Sequence, residues 1–214
     1  IQQCEVTGII KSNGKVAGVE TTKGKIKTKS LGLVVAGNSS VLADKAGFRL
    51  PIESVALQAL VSEPIKPCMD VVVMANTVHG YMSQSDKGEM VIGGGTDGFN
   101  NYTQRGSFHH IEETVRALIE TFPMISRLKM LRQWGGIVDV TGDRSPIISK
   151  TPLDGCFINC GWGTGGFKAI PGSGWAMAET MATGIPSTLA SAFSLDRFKE
   201  GRFIDESVAA GVAH

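Results

Sequence analysis

The sequence predicts an α/β (α+β) fold in two domains, and three observations predict it. Continuous apolar runs at Leu31 to Gly37 and Phe157 to Cys160 each end in glycine. Such runs suit strands buried on both faces of a parallel sheet. Between them, short alternating segments separated by turn residues predict a hairpin-linked antiparallel sheet. The second run then leads through a glycine-rich loop into a helical pattern, so the first unit is interrupted and later resumed.

Each element has its own local warrant. Residues 4–10 read as a strand, and Asn13-Gly14 supplies a hairpin turn of the primed type. Lys15 to Thr22 follows as a second strand and Lys25 to Lys29 as a third, turning at Lys23-Gly24. The lysines of this segment alternate with Gly24, Ile26 and Thr28, the pattern of a solvated strand face. After the first apolar run, Ser39 and Ser40 are expected to cap a short helix, Val41 to Ala46, that stops at Gly47. Beyond Pro51, strands are expected at Val55 to Ser62, Asp70 to Ala75, Gly80 to Gln84 and Glu89 to Gly93. Ser107 reads as an N-cap, with Ile111, Val115, Leu118, Ile119 and Phe122 on one helical face and Pro123 as the stop. Leu131 to Val140 returns as a strand, followed by a polar loop, Thr141 to Pro146. The last helix is expected from about Ser173 to Thr183, with Gly184 and Pro186 closing it. Ser194 to Glu206 is amphipathic and charged and is expected to pack on the surface or on a partner.

Composition excludes several classes. A formal net charge of +1 over 214 residues argues against a nucleic-acid binder, which needs a concentrated basic face. No apolar run approaches the roughly 20 residues that cross a bilayer as a helix. The four cysteines lack zinc-type pairing and read as buried free thiols of a cytoplasmic protein, so no metal site is expected. The chain begins at Ile1 within a strand pattern and reads as a piece of a longer protein. No GxGxxG follows a strand, so the pyrophosphate-binding start of a dinucleotide fold either lies upstream or is not part of this protein.

The chemistry concentrates in Gly161-Trp162-Gly163-Thr164-Gly165-Gly166-Phe167-Lys168. Glycine lets backbone approach a flat or anionic ligand where a Cβ would clash. A helix start adds unpaired N–H groups and a positive dipole end. Lys168, just past the glycines, could hold a carboxylate against whatever the loop cradles. The bland alternative is a packing turn followed by an exposed lysine. Asp143 and Arg144 read as a structural, salt-linked turn, and His109 and His110 as surface residues at a helix start.

Four segments resemble the D-amino-acid oxidase-like flavoproteins and, within them, the beta subunits of heterotetrameric sarcosine oxidases. These are Val34-Val35-Ala36-Gly37, Trp134-Gly135-Gly136 through Pro146, Gly161 through Lys168, and Arg202-Phe203-Ile204-Asp205-Glu206. The resemblance implies part of a Rossmann-like FAD-binding domain plus an antiparallel substrate domain. Its expected division is 1–50 for the second part of the FAD domain, 51–150 for the substrate domain, 151–190 for the return with the flavin loop, and 191–214 for the tail. It implies oxidative demethylation of sarcosine, an N-methyl amino acid, at noncovalent FAD, giving glycine, formaldehyde and peroxide. A second flavin, FMN, at a subunit interface and alpha, gamma and delta subunits as partners are implied with it.

Residue by residue, Gly163 and Gly166 match the loop against the isoalloxazine edge, Lys168 the lysine at the flavin that both borders the cofactor and pairs with the substrate carboxylate, and Val6 the strand position touching the adenine. Val6 is equally a core valine. The histidine that carries FMN would lie upstream of Ile1; His79, His109, His110 and His214 are not at that position. Val91 stands where monomeric relatives have an oxygen-activating lysine, which fits oxygen chemistry at the FMN. Another amine oxidase or dehydrogenase of dimethylglycine or glycine type, and an inactive assembly subunit, are the competing readings.

Overall fold

Alternation builds the first sheet. In the computed structural model, which describes residues 1–75 and 80–204, β1 (Val6–Ser12), β2 (Lys15–Thr21) and β3 (Gly24–Lys27) form an antiparallel meander in that order. Asn13 and Gly14 both take positive φ, +50° and +75°, as the primed turn requires. β3 is exposed throughout, and its Lys25 pairs with Glu20 at 2.8 Å, so the lysine alternation is a solvated face. His79, His214 and the Asp205-Glu206 pair lie outside the described residues.

The first apolar run is only partly strand. β4 covers Leu31–Leu33 alone, paired parallel with Cys156 to Ile158. Val34 is exposed, and Ala36 turns the chain with φ +45° into a 3-10 turn over Ala36–Asn38. The following helix, α1 (Ser39–Ala46), includes both serines expected to cap it. Ser39 instead donates its hydroxyl to the Ala36 carbonyl at 2.6 Å, and Asn38 holds the cap position without a side-chain bond. Gly47 ends the helix at φ +89°, the left-handed stop its identity predicts.

A second sheet has the order β10-β11-β4, with β10 (Ile147–Lys150) antiparallel to β11 (Cys156–Cys160). All five residues of β11 are buried, and the pleat sends them two ways. Cys156, Ile158 and Cys160 join a core with Ile9, Val16, Leu33 and Ile147; Phe157 joins one with Ala176 and Met177. These last two belong to α3 (Gly166–Thr183). The helix lies so close that a Cβ on Gly32 would come within 2.9 Å of Met177 Cε. It begins at Gly166, not near Ser173, and contains Pro171. Proline and two nearby glycines, Gly172 and Gly174, hide that start from propensity. The strand β10 has no sequence signal of its own, because Ile147-Ile148 is too short an apolar run to read.

The intervening residues form an antiparallel sheet of order β6-β7-β8-β5-β9. Its strands are β5 (Ile52–Pro64), β6 (Val73–Ala75), β7 (Gly80–Gln84), β8 (Glu89–Thr96) and β9 (Met130–Thr141). Against it packs α2 (Phe108–Thr121), whose N-cap Ser107 accepts from the His110 amide as expected. Leu118 is fully buried with Leu60, Met82, Met90 and Ile92, each such side chain contributing about 1.5–3 kcal/mol on leaving water. Two compact units result: Ile1–Ser54 with the described residues from Val138 onward, and Val55–Ile137.

Among the described residues no helix is long and apolar enough to cross a membrane, and no cluster of His, Cys, Asp or Glu could hold a metal. The four cysteines are free, but only Cys156 and Cys160 are buried; Cys68 is exposed and Cys4 half-buried. The expectation of buried thiols therefore fails for the two that lie outside the core strand.

Candidate active site: the glycine loop after the buried strand

The loop starts where β11 ends, beside the carboxyl end of its parallel neighbour β4. In open sheets containing parallel strands this end is where ligands bind. Gly161 has φ +76°, and a Cβ there would meet Thr141 Cγ2 at 2.7 Å, so both conformation and space require glycine. Gly163 also takes positive φ, +51°, but a Cβ on it would meet nothing within 4 Å. Its outward side is open. The Gly165 amide bonds the Trp162 carbonyl at 3.0 Å, and a Cβ on Gly166 would press the Trp162 Cβ at 3.1 Å. Trp162 is itself fixed by its indole N–H, which donates to Asn159 Oδ1 at 2.6 Å.

Underneath sits Asp139, which the sequence reading did not single out. It is 2 % exposed and accepts the Gly161 amide at 2.5 Å through Oδ2. Its own carbonyl accepts the Gly163 amide at 2.8 Å. Burial pushes the Asp139 carboxyl above the usual range, while the amides of Gly161, Asp139 itself and Trp162 pull it back. The Cys160 thiol next to it is pushed well up, by burial first and then by the Asp139 charge. That cysteine is an inert core group, not a nucleophile.

The first turn of α3 continues the loop. Gly165 occupies its N-cap without a side-chain bond, and no acidic residue stands in the first turn. Lys168 stands there instead, exposed to solvent. A cation at the positive end of a helix costs about 0.3–1 kcal/mol, which an anion bound nearby would offset. Pro171 leaves the Phe167 carbonyl without its helical N–H partner. Phe167, Ile170 and Trp175 are exposed on the same helix.

The Asp143 turn is structural, as expected, but its partner differs from the expected neighbour. Asp143 receives Arg197 Nε at 2.7 Å and Nη2 at 2.9 Å, and the Ile204 amide at 3.2 Å. Arg197 also donates to the carbonyls of Ser145 and Ser194, and its guanidinium stacks 4.2 Å from the Phe198 ring centre. Burial raises the Asp143 carboxyl, but these donors and the Arg197 charge outweigh it and hold the group at about 2. Arg144 merely takes the turn, at φ +56°.

Gly163, Gly166 and Lys168 are thus brought together in one loop and first turn. Val6 is half-buried opposite Thr21 in the separate meander sheet. His109 is a surface residue, its ring 3.3 Å from Glu113. His110 is not: its side chain is mostly buried, and Nε2 lies 2.9 Å from the Gly94 carbonyl. That oxygen can only accept, so Nε2 carries the proton. Val91 lies on β8 between Val61 and Ser83. A cleft of about 270 Å³, lined by Ser149, Lys150, Pro186, Ser191 and Lys199 among others, contains no glycine-loop residue. The glycine loop is the better candidate, because it combines open backbone and a cation with a helix start at the end of a buried strand.

A group with a flat ring and anionic parts fits this arrangement: Gly163 offers bare backbone where a side chain would block it, and the helix start offers N–H groups. The family model for FAD dependent oxidoreductases, DAO, matches residues 1–180. The chain is 76% identical over all 214 residues to sarcosine oxidase subunit beta of Rhodobacter capsulatus, covering 51% of that protein. It is 55% identical over 214 residues to the subunit of the same name from Arthrobacter sp., covering 53% of it. The chain spans about half the length of these curated relatives. Among solved structures, L-proline dehydrogenase from P. horikoshii superposes with a TM-score of 0.83 at 26% identity, over 94% of this chain and 55% of that one. Glycine oxidase from Geobacillus kaustophilus shares the fold, with a TM-score of 0.79 at 19% identity, over 91% of this chain and 52% of that one. The match over residues 1–180 shows that the chain belongs to the DAO family of FAD dependent oxidoreductases.

Proposed function

We propose that this chain supplies part of the FAD and substrate site of an enzyme that oxidatively demethylates sarcosine to glycine and formaldehyde. The observation that carries the reading is Lys168, a cation set in the first turn of α3 directly after an open glycine loop. The 76% and 55% identity to sarcosine oxidase beta subunits supports the substrate. FAD, when bound, supplies the acceptor for the hydride leaving the N-methyl carbon. The chain's own residues do the rest. Lys168 pairs with the substrate carboxylate and fixes which carbon faces the acceptor. The backbone at Gly163 and Gly166 would lie against the isoalloxazine edge, and the positive first turn of α3 would favour negative charge there. Val6 contributes strand backbone beside the adenine.

The division of labour proposed is a FAD-binding part at 1–50 and 151–190, a substrate part at 51–150 and a tail at 191–214. We further propose a cytoplasmic heterotetramer with alpha, gamma and delta subunits, with FMN at a subunit interface on a histidine outside this chain. An anaerobic titration of the complete assembled enzyme tests the activity. Sarcosine is expected to bleach the flavin absorbance and release formaldehyde. Bound flavin that sarcosine leaves oxidised, while dimethylglycine or glycine reduces it, would replace the substrate.

A further inference from the structure

We propose that Asp139 is the positioning residue of the glycine loop, fixing its backbone in the form that receives the flavin. This rests on the flavin reading of that loop. Asp139 reaches the loop twice. Its Oδ2 accepts from Gly161 at 2.5 Å, and its main-chain carbonyl accepts from Gly163 at 2.8 Å. Those two glycines are the positions where the loop takes left-handed conformations, at +76° and +51°. A left-handed loop without anchors samples many conformers, so two bonds to one strand residue select one of them. Both anchors face inward, which leaves the opposite side of Gly163 free; a Cβ there would meet nothing within 4 Å.

The carboxylate is an expensive choice for a structural filler. It is 2 % exposed and is solvated by backbone amides, and among the described residues no basic side chain hydrogen-bonds or ion-pairs with it. Asp143, four residues on, has Arg197 for that purpose. A buried carboxylate that accepts the Gly161 N–H makes a short, strongly directional bond, and direction is what a cofactor loop needs. Asparagine keeps one carbonyl oxygen for Gly161, whereas alanine keeps none.

The test uses the complete assembled enzyme, stripped of FAD, with Asp139→Asn and Asp139→Ala. In Asp139→Ala, residue-resolved amide exchange is expected to speed up at Gly161 and Trp162 while Gly163, bonded to main chain, stays slow. FAD affinity should fall at least about tenfold. Asp139→Asn should keep Gly161 protected and FAD affinity within about threefold. A merely structural residue would instead raise exchange across β11 and the loop alike. Wild-type protection and affinity in Asp139→Ala would overturn the inference and leave the flavin reading standing. So would an Asp139→Asn protein that loses FAD with its loop still protected, an outcome readable even if Asp139→Ala fails to fold. Failure of the wild-type enzyme to rebind FAD would overturn both.

Discussion

Asp139 and Asp143 stand four residues apart, both with buried side chains, and the protein treats them in opposite ways. Desolvation raises both carboxyls. At Asp143 the guanidinium of Arg197, the Ile204 amide and the Ser145 amide reverse the effect and hold the group at about 2. At Asp139 only backbone amides answer, and the carboxyl stays above its ordinary range. The comparison teaches that a neighbouring cation, not burial, decides what a buried carboxylate is for. Asp143 ties the 194–204 segment to the turn after β9. Asp139 spends its acceptors on a glycine loop.

The largest break in this contrast comes from Arg197→Met. Removing the guanidinium strands Asp143 without a charge partner, and chemical denaturation should show a loss of about 3–5 kcal/mol. The same loss should not appear in Asp139→Asn, whose group has no cation to lose. Gly161→Ala comes next. It forces a methyl group to within 2.7 Å of Thr141 Cγ2 at a φ of +76°, and a loss of about 2 kcal/mol is expected in the same measurement.

The smallest effect is the pH dependence of stability, where the two carboxylates should give slopes of opposite sign. Asp143 is depressed, so its contribution is present above an unfolded value of about 4 and is lost as pH falls towards about 2. That contribution is on the order of 1–2 kcal/mol. Asp139 is raised, so its protonated form favours the folded protein, and that contribution is lost as pH rises past the ordinary carboxylate range. Denaturation midpoints between pH 2 and 6 should therefore lose their acid limb in Arg197→Met. In Asp139→Asn they should lose the opposing decline. Equal profiles in wild type and both variants would remove the distinction.

Much of the frame was legible because its signals are local. The Asn13-Gly14 turn, the Ser107 cap, the Gly47 stop and the apolar face of α2 each depend on a few neighbouring residues. So does the lysine alternation of β3. The glycine loop was visible for the same reason, as a cluster of one residue type between a buried strand and a helix. What escaped detection depends on distant partners. Asp139 bonds residues 22 positions away, and Arg197 reaches Asp143 across 54. A charge inside Ile137-Val138-Asp139-Val140 was a signal that could have been read, since a carboxylate in an apolar run needs a donor. Nothing local marks Arg197. The start of α3 was obscured by Pro171, which a helix tolerates here although propensity predicts a break. Val6 was named through resemblance alone; its own neighbourhood is that of a strand valine.

The central claim is that Lys168 and the glycine loop form the substrate site. The most direct test is an anaerobic sarcosine titration of the assembled enzyme carrying Lys168→Ala, followed through flavin absorbance. Losing a charge-assisted carboxylate partner should raise the half-saturating sarcosine concentration about 10- to 100-fold, with flavin content and thermal stability unchanged. Half-saturation equal to that of the wild type would show that Lys168 does not hold the substrate, and would contradict the account.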